Sequence, residues 1–173
     1  MAEYLVKARQ ILTFACTQTE SVMANTFSQI HLHIVFAVKY RDAMLDYLWR
    51  NDLFRYIGGV IKNYGHIPVA IGGFIDHIHI LIGCKPTINI PNLVKDIKLA
   101  ANQWVQPKYK CKFGWQDGYA VFSISKTHVE ALTDYIRRQD DHHRTESMVE
   151  EFKRFLSING VGYDERYVFH EPE

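Results

Sequence analysis

His77-Ile78-His79 sets two imidazoles two residues apart. On a β-strand, where side chains alternate between faces, both project from one face while Ile78 and Ile80 turn into the core behind them. Two nitrogen donors converging in this way are half of a metal site. The same alternation recurs at His31-Leu32-His33, and a strand with one solvated face carries polar residues along it by default. A third donor must therefore decide between a ligand pair and an ordinary polar face. Tyr135 and Gln139 stand four residues apart, a spacing that on a helix brings a reactive phenol and an amide oxygen onto one side, flanking the apolar positions Leu132 and Ile136. The bland reading stands beside it: a tyrosine packed at the rim of a core and a solvated glutamine. His142 and His143 follow and read as an exposed helix end, where cationic side chains suit the helix dipole.

The elements that must carry these residues are legible from pattern. Residues 27–38, FSQIHLHIVFAV, are rich in β-branched and aromatic side chains and predict a first strand. Leu45, Leu48, Leu53, Ile57, Val60 and Ile61 recur at helical spacing and predict a helix from about 46 to 64, stopped at Gly65. Residues 66–83 offer two extended runs divided by Gly72 and Gly73, either a hairpin or a long bulged strand, and the second run bears His77 and His79. Pro91 opens a helix with the stripe Leu93, Val94, Ile97, Ala101 and Trp104, running to about Val105. GYAVFSIS predicts another strand, after which Ser125 or Thr127 caps a helix burying Val129, Leu132 and Ile136. A last helix, from about 146 to 158, buries Met148, Phe152 and Phe155 and ends before Gly160. This order fits an α+β, ferredoxin-like two-layer sandwich with a largely antiparallel sheet and helices on one face.

A chain of 173 residues, 47% hydrophobic, suits one compact domain. We expect an N-terminal extension over 1–22, helical or without structure, with Met23 as an alternative start, and a single domain over 23–173 with a C-terminal helical tail. The run from Ile11 to Ala15 before Cys16 is too short for a signal core. The three cysteines form no CxxC pair, which points to a reducing cytoplasm. No stretch approaches the roughly 20 apolar residues of a membrane helix. A net charge of +1 does not announce a nucleic-acid binder, so any basic surface must be a local patch.

Taken in order, HIVFAVKYR, DHIHILI, GWQDGYAVFSIS and YIRRQ resemble the single-tyrosine HUH transposases of short insertion sequences, over roughly residues 27–144. The resemblance implies His77 and His79 as metal ligands, Gln139 as the third protein ligand and Tyr135 as the nucleophile, leaving His31 and His33 as strand residues. It also implies a homodimer acting on single-stranded DNA with hairpin ends, a 5′-phosphotyrosine intermediate and a free 3′-OH. Two imidazoles and an amide oxygen with open positions suit Mg²⁺ or Mn²⁺ better than a closed zinc site. A phenol with an ordinary pKa of about 10 needs help to attack, and no general base is evident in the sequence.

Expected DNA contacts are Lys39 and Arg41 in the first turn, Lys95 and Lys98 on the second helix, Lys108, Lys110 and Lys112 with Trp115, and Arg137 and Arg138 beside the tyrosine. Basic residues interleaved with aromatics suit a groove that neutralises phosphates and stacks unpaired bases. Other histidine chemistries fit less well. A nucleotidyl hydrolase with a third alternating histidine would need it at Leu81, and the paired His-x-Thr or His-x-Ser motifs of two-histidine phosphoesterases are missing. A non-catalytic, ferredoxin-like module that binds single strands without metal is the remaining alternative.

Overall fold

The computed structural model describes residues 27–40, 44–143, 146–169 and 172; Arg41 and the expected extension over 1–22 lie outside the described residues. Four strands, β1 (Ile30–Ala37), β2 (Ile67–Gly73), β3 (His77–Cys84) and β4 (Ala120–Ile124), form one sheet in the order β2-β3-β1-β4. Every pairing is antiparallel. The two runs divided by Gly72 and Gly73 are therefore a hairpin. Its turn closes through a hydrogen bond from the Phe74 amide to the His77 carbonyl.

Register assigns the faces. Val35 lies opposite His79 and His33 opposite Leu81, so these four share one face, while Ile34 opposite Ile80 and Phe36 opposite Ile78 share the other. The second of these faces is apolar throughout and is covered by the two long helices, α1 (Arg50–Asn63) and α2 (Ile90–Tyr109). Leu53, Ile57 and Ile61 of α1 and Leu93, Ile97, Ala101 and Val105 of α2 are fully buried there with Ile34, Ile78, Ile80 and Ile82. Asn89 caps α2 by accepting from the Asn92 amide. The helix outruns its expected end near Val105 because Pro107, inside its last turn, forfeits only one hydrogen bond; Lys110, in the left-handed region at φ 49°, ends it.

The α+β class and antiparallel sheet match the expected architecture, and the long helices share one face as anticipated. The histidine face carries helices too: α3 (Val129–Arg137), α4 (Gln139–His142) and α5 (Met148–Ile158). That face is not solvated, because Leu81 and Ala70 on it form a second small core with Ile136 of α3, and Phe122 of β4 stacks on Phe155 of α5. Ser147 and Glu150 form a reciprocal capping box that starts α5.

The contact between β2 and α3 is tight at one glycine. A Cβ built at Gly72 would lie 2.4 Å from the Ile136 carbonyl oxygen and 2.9 Å from its Cγ2, so α3 sits where only a glycine permits. Gly72→Ala is expected to lose about 1–3 kcal/mol of stability through this overpacking and to lift Tyr135 from its place. Chemical denaturation checks the first effect. An unchanged midpoint would show that α3 has room to shift.

Candidate active site

The two histidines of β3 are fully buried and their rings meet edge to face, 4.8 Å between centroids. Each has its Nδ1 engaged from behind. Asp76 Oδ1 lies 2.6 Å from His77 Nδ1, and His33 Nε2 lies 2.9 Å from His79 Nδ1. With Nδ1 so occupied, both Nε2 atoms face forward, the side from which an imidazole held in this way can bind a metal. His33 thus has a place the sequence leaves open: its ring stacks under His79 at 5.1 Å.

In front of the pair the sequence-expected partners arrive, together with one it did not offer. Gln139 is 2% exposed and its Oε1 lies 3.2 Å from His77 Nε2. Tyr135 and Gln139 do not share one straight helix. The backbone breaks at Arg138 (φ −104°, ψ 25°), so the phenol and the amide sit on α3 and α4 respectively. The second piece is held by Arg50, itself buried on α1, whose guanidinium donates to both Asp140 oxygens at 2.6 Å.

The unexpected residue is Glu151 of α5, 1% exposed. Its Oε2 lies 3.3 Å from the Nε2 atoms of both His77 and His79. Its Oε1 accepts from the Tyr135 hydroxyl and, at 3.1 Å, from Gln139 Nε2. One carboxylate therefore faces the imidazoles with one oxygen and the phenol with the other. A readable signal existed: Glu151 falls on the apolar stripe of its helix, between Met148 and Phe152, where a charged residue has no reason to be unless it is paired.

His143 also departs from expectation. Its side chain is 3% exposed, turned inward against Phe74, with Nε2 3.3 Å from Glu151 Oε2 but off the hydrogen-bonding direction. The break at Arg138 redirects this segment, so the exposed helix end read from the sequence does not form.

Electrostatics follow from burial and from that single anion. Burial drives His79 down to about 4, reinforced by His77 and His143 and opposed by Glu151. Burial also takes His33 well below its usual value. Burial alone would raise Glu151, yet His143, His79 and His77 around it outweigh that and hold the carboxyl far below the usual range. Tyr135 is pushed above 10, first by burial and then by Glu151, with Arg154 pulling the other way. A neutral His79 beside an ionised Glu151 is the protonation state in which both can donate electron pairs.

Donor atoms of His77, His79 and Glu151 lie within 4.8 Å of one another, with Gln139 Oε1 adjoining. Two nitrogens and two oxygens aimed at one point, with both imidazoles fixed from behind, fit a divalent cation.

The expected DNA contacts divide. Lys95, Lys108, Lys110, Lys112, Arg137 and Arg138 are exposed and Lys39 is half-buried. Lys98 instead donates to the carbonyls of Gln116 and Gly118, and burial lowers its amine to about 8 against the pull of Asp117. Trp115 is 7% exposed, edge-on against Phe36 and Phe113, so it is a core residue and offers no face for a base. It turns inward because it bridges Val38 at the end of β1.

A histidine pair on a central antiparallel strand is thus faced by a tyrosine from a helix packed on the same side of the sheet. The chain belongs to the family described as Transposase IS200 like, whose model matches residues 26–139, and its activity is DNA transposition, a form of DNA recombination. It is 26% identical over 120 residues to the ISDra2 transposase TnpA of Deinococcus radiodurans, covering 65% of this chain and 86% of that one. In fold it resembles a crystal structure of a transposase from Deinococcus radiodurans R1, with TM-score 0.54, 23% identity, and coverage of 67% of this chain and 95% of that one. It also resembles a REP-associated tyrosine transposase bound to a REP hairpin, with TM-score 0.55, 14% identity, and coverage of 87% and 98% respectively. Among the described residues, no helix is long and apolar enough to cross a membrane.

Proposed function

We propose that this transposase cleaves and rejoins single-stranded DNA through Tyr135, with His77, His79 and Gln139 as metal ligands and Glu151 as a fourth. The observation that carries the reading is the convergence of the Tyr135 hydroxyl, Gln139 and both histidines on the two oxygens of Glu151. Tyr135 attacks phosphorus in line; its oxygen forms the new O–P bond as the bond to the 3′-oxygen breaks, leaving a 5′-phosphotyrosine and a 3′-OH. Glu151 Oε1, already accepting from the phenol, takes the proton once the forming O–P bond has made the phenol strongly acidic. This fills the place of the general base that sequence alone leaves empty. A divalent cation, Mg²⁺ or Mn²⁺, supplies positive charge to the scissile phosphate when bound.

The hairpin carried by the REP-associated neighbour supports a hairpin-ended single strand as substrate. Lys39, Lys95, Lys108, Lys110, Lys112, Arg137 and Arg138 would follow its backbone. One tyrosine per chain against two cleavages per excision favours a homodimer. The unpaired thiols of Cys84 and Cys111 suit a reducing cytoplasm.

The test is incubation with oligonucleotides bearing the flanking genomic hairpins and Mg²⁺ or Mn²⁺, followed by denaturing gels and mass spectrometry. A denaturation-resistant adduct on Tyr135 supports the reading. Binding without an adduct, for all substrates and both metals, favours a non-catalytic module. In the same assay His77→Ala or His79→Ala is expected to weaken Mn²⁺ binding and cleavage together, each by more than the roughly 10–100-fold that follows loss of a partner supporting a ligand. Calorimetric titration checks the first. Full activity after thorough chelation would end the metal assignment.

A further inference from the structure

We infer that Arg154 is a positioning residue for attack by Tyr135, selecting which lone pair of the phenolic oxygen is presented to phosphorus; the inference rests on the reading of Tyr135 as nucleophile. Arg154 lies on α5, one helical turn beyond Glu151, so both side chains reach Tyr135 from the same helix. Its Nη2 donates to the Tyr135 oxygen at 3.1 Å. Its Nε and Nη2 also grip the two oxygens of Glu146 at 2.8 Å, a bidentate pairing that fixes the plane of the guanidinium. That plane lies beside the rings of Tyr135 and Phe155, 5.9 and 5.1 Å from their centroids.

A phenolic oxygen has one proton and two lone pairs. Here the proton is directed to Glu151 Oε1 and one lone pair is taken by Arg154. Only one lone pair is left, and its direction is set by two fixed neighbours. In the cleavage step that pair forms the O–P bond, the P–O3′ bond breaks, Glu151 takes the phenolic proton, and the 3′-oxygen leaves with a proton from water. Arg154 neither loses nor gains a proton, and of the groups that take part in the step it contacts the tyrosine alone. Glu146 serves as its tether, pairing through both oxygens with a half-exposed arginine. A merely structural arginine needs the pair with Glu146; it has no need of the phenol.

The experiment measures single-turnover adduct formation by the full chain on a hairpin-bearing oligonucleotide with Mn²⁺, across oligonucleotide concentrations. Arg154→Ala is expected to lower the saturating rate about 100-fold, the scale of losing one preorganised donor, with the half-saturating concentration within about twofold of wild type. Arg154→Lys, which keeps one donor, should recover most of the loss, and Glu146→Gln should fall between. If Arg154→Ala fails to fold, the lysine and Glu146→Gln variants carry the test. A wild-type saturating rate in Arg154→Ala overturns the inference, as does a loss confined to oligonucleotide affinity or shared equally by Arg154→Lys. An adduct that persists in Tyr135→Phe removes the reading beneath it. No adduct in Tyr135→Phe with full rate in Arg154→Ala removes this inference alone.

Discussion

Tyr135→Phe is expected to abolish the covalent DNA adduct, a loss on the order of 10⁴-fold or more, while leaving oligonucleotide binding within about twofold. The phenylalanine ring keeps the packing of the original. Tyr135 lies 4.5 Å from His142, 5.7 Å from Phe155 and 6.0 Å from His79 between ring centroids, and none of these contacts involves the hydroxyl. What is removed is the oxygen with its bonds to Glu151 and Arg154, and each of those keeps another partner, Gln139 and Glu146 respectively. The cost to stability is therefore about 3 kcal/mol, that of two lost hydrogen bonds to charged groups at the low end of their range. Filter binding and denaturing gels run on the same samples separate the two effects. An adduct undiminished in the phenylalanine variant would move the nucleophile elsewhere.

Glu151→Gln should be the next most damaging change. The amide keeps the volume and the contact with Gln139, so cooperative unfolding is retained, but it is neutral and cannot accept the phenolic proton. Loss of a proton acceptor lowers adduct formation by about 10²–10⁴-fold. Loss of an anionic donor lowers Mn²⁺ affinity by at least the 10–100-fold that follows removal of a supporting partner. The two effects are separable by saturating the variant with metal: affinity is compensated and the chemical deficit stays. If metal titration and saturated rate both match wild type, His77, His79 and Gln139 are the complete ligand set and the phenol loses its proton by another route.

Much of the arrangement was legible because it depends on local periodicity. Two-residue alternation placed His77 and His79 on one face with Ile78 and Ile80 behind them, and the register of β3 against β1 bears this out. The glycine pair at 72 and 73 divided the two extended runs, with the choice between a hairpin and a bulged long strand made by the pairing, and the apolar spacings of the helices located their cores. What was not legible depends on contacts between distant elements. Glu151 meets His79 across 72 residues of chain, and no spacing rule connects them. His33 looked like a rival of His79 and turns out to support it, a relation set by strand pairing. Trp115 sits in a basic stretch, so composition suggested exposure, whereas its tertiary position is against Phe36. His143 looked solvated because its neighbours are polar; a single backbone break at Arg138 decides otherwise.

The family model ends at residue 139, and Glu151 and Arg154 lie beyond it. The segment by which kinship is recognised thus holds Tyr135 and the histidines, but neither the carboxylate between them nor the arginine beside the phenol. Likeness over the shared segment records membership of the family, whereas the immediate surroundings of the Tyr135 hydroxyl are set by α5.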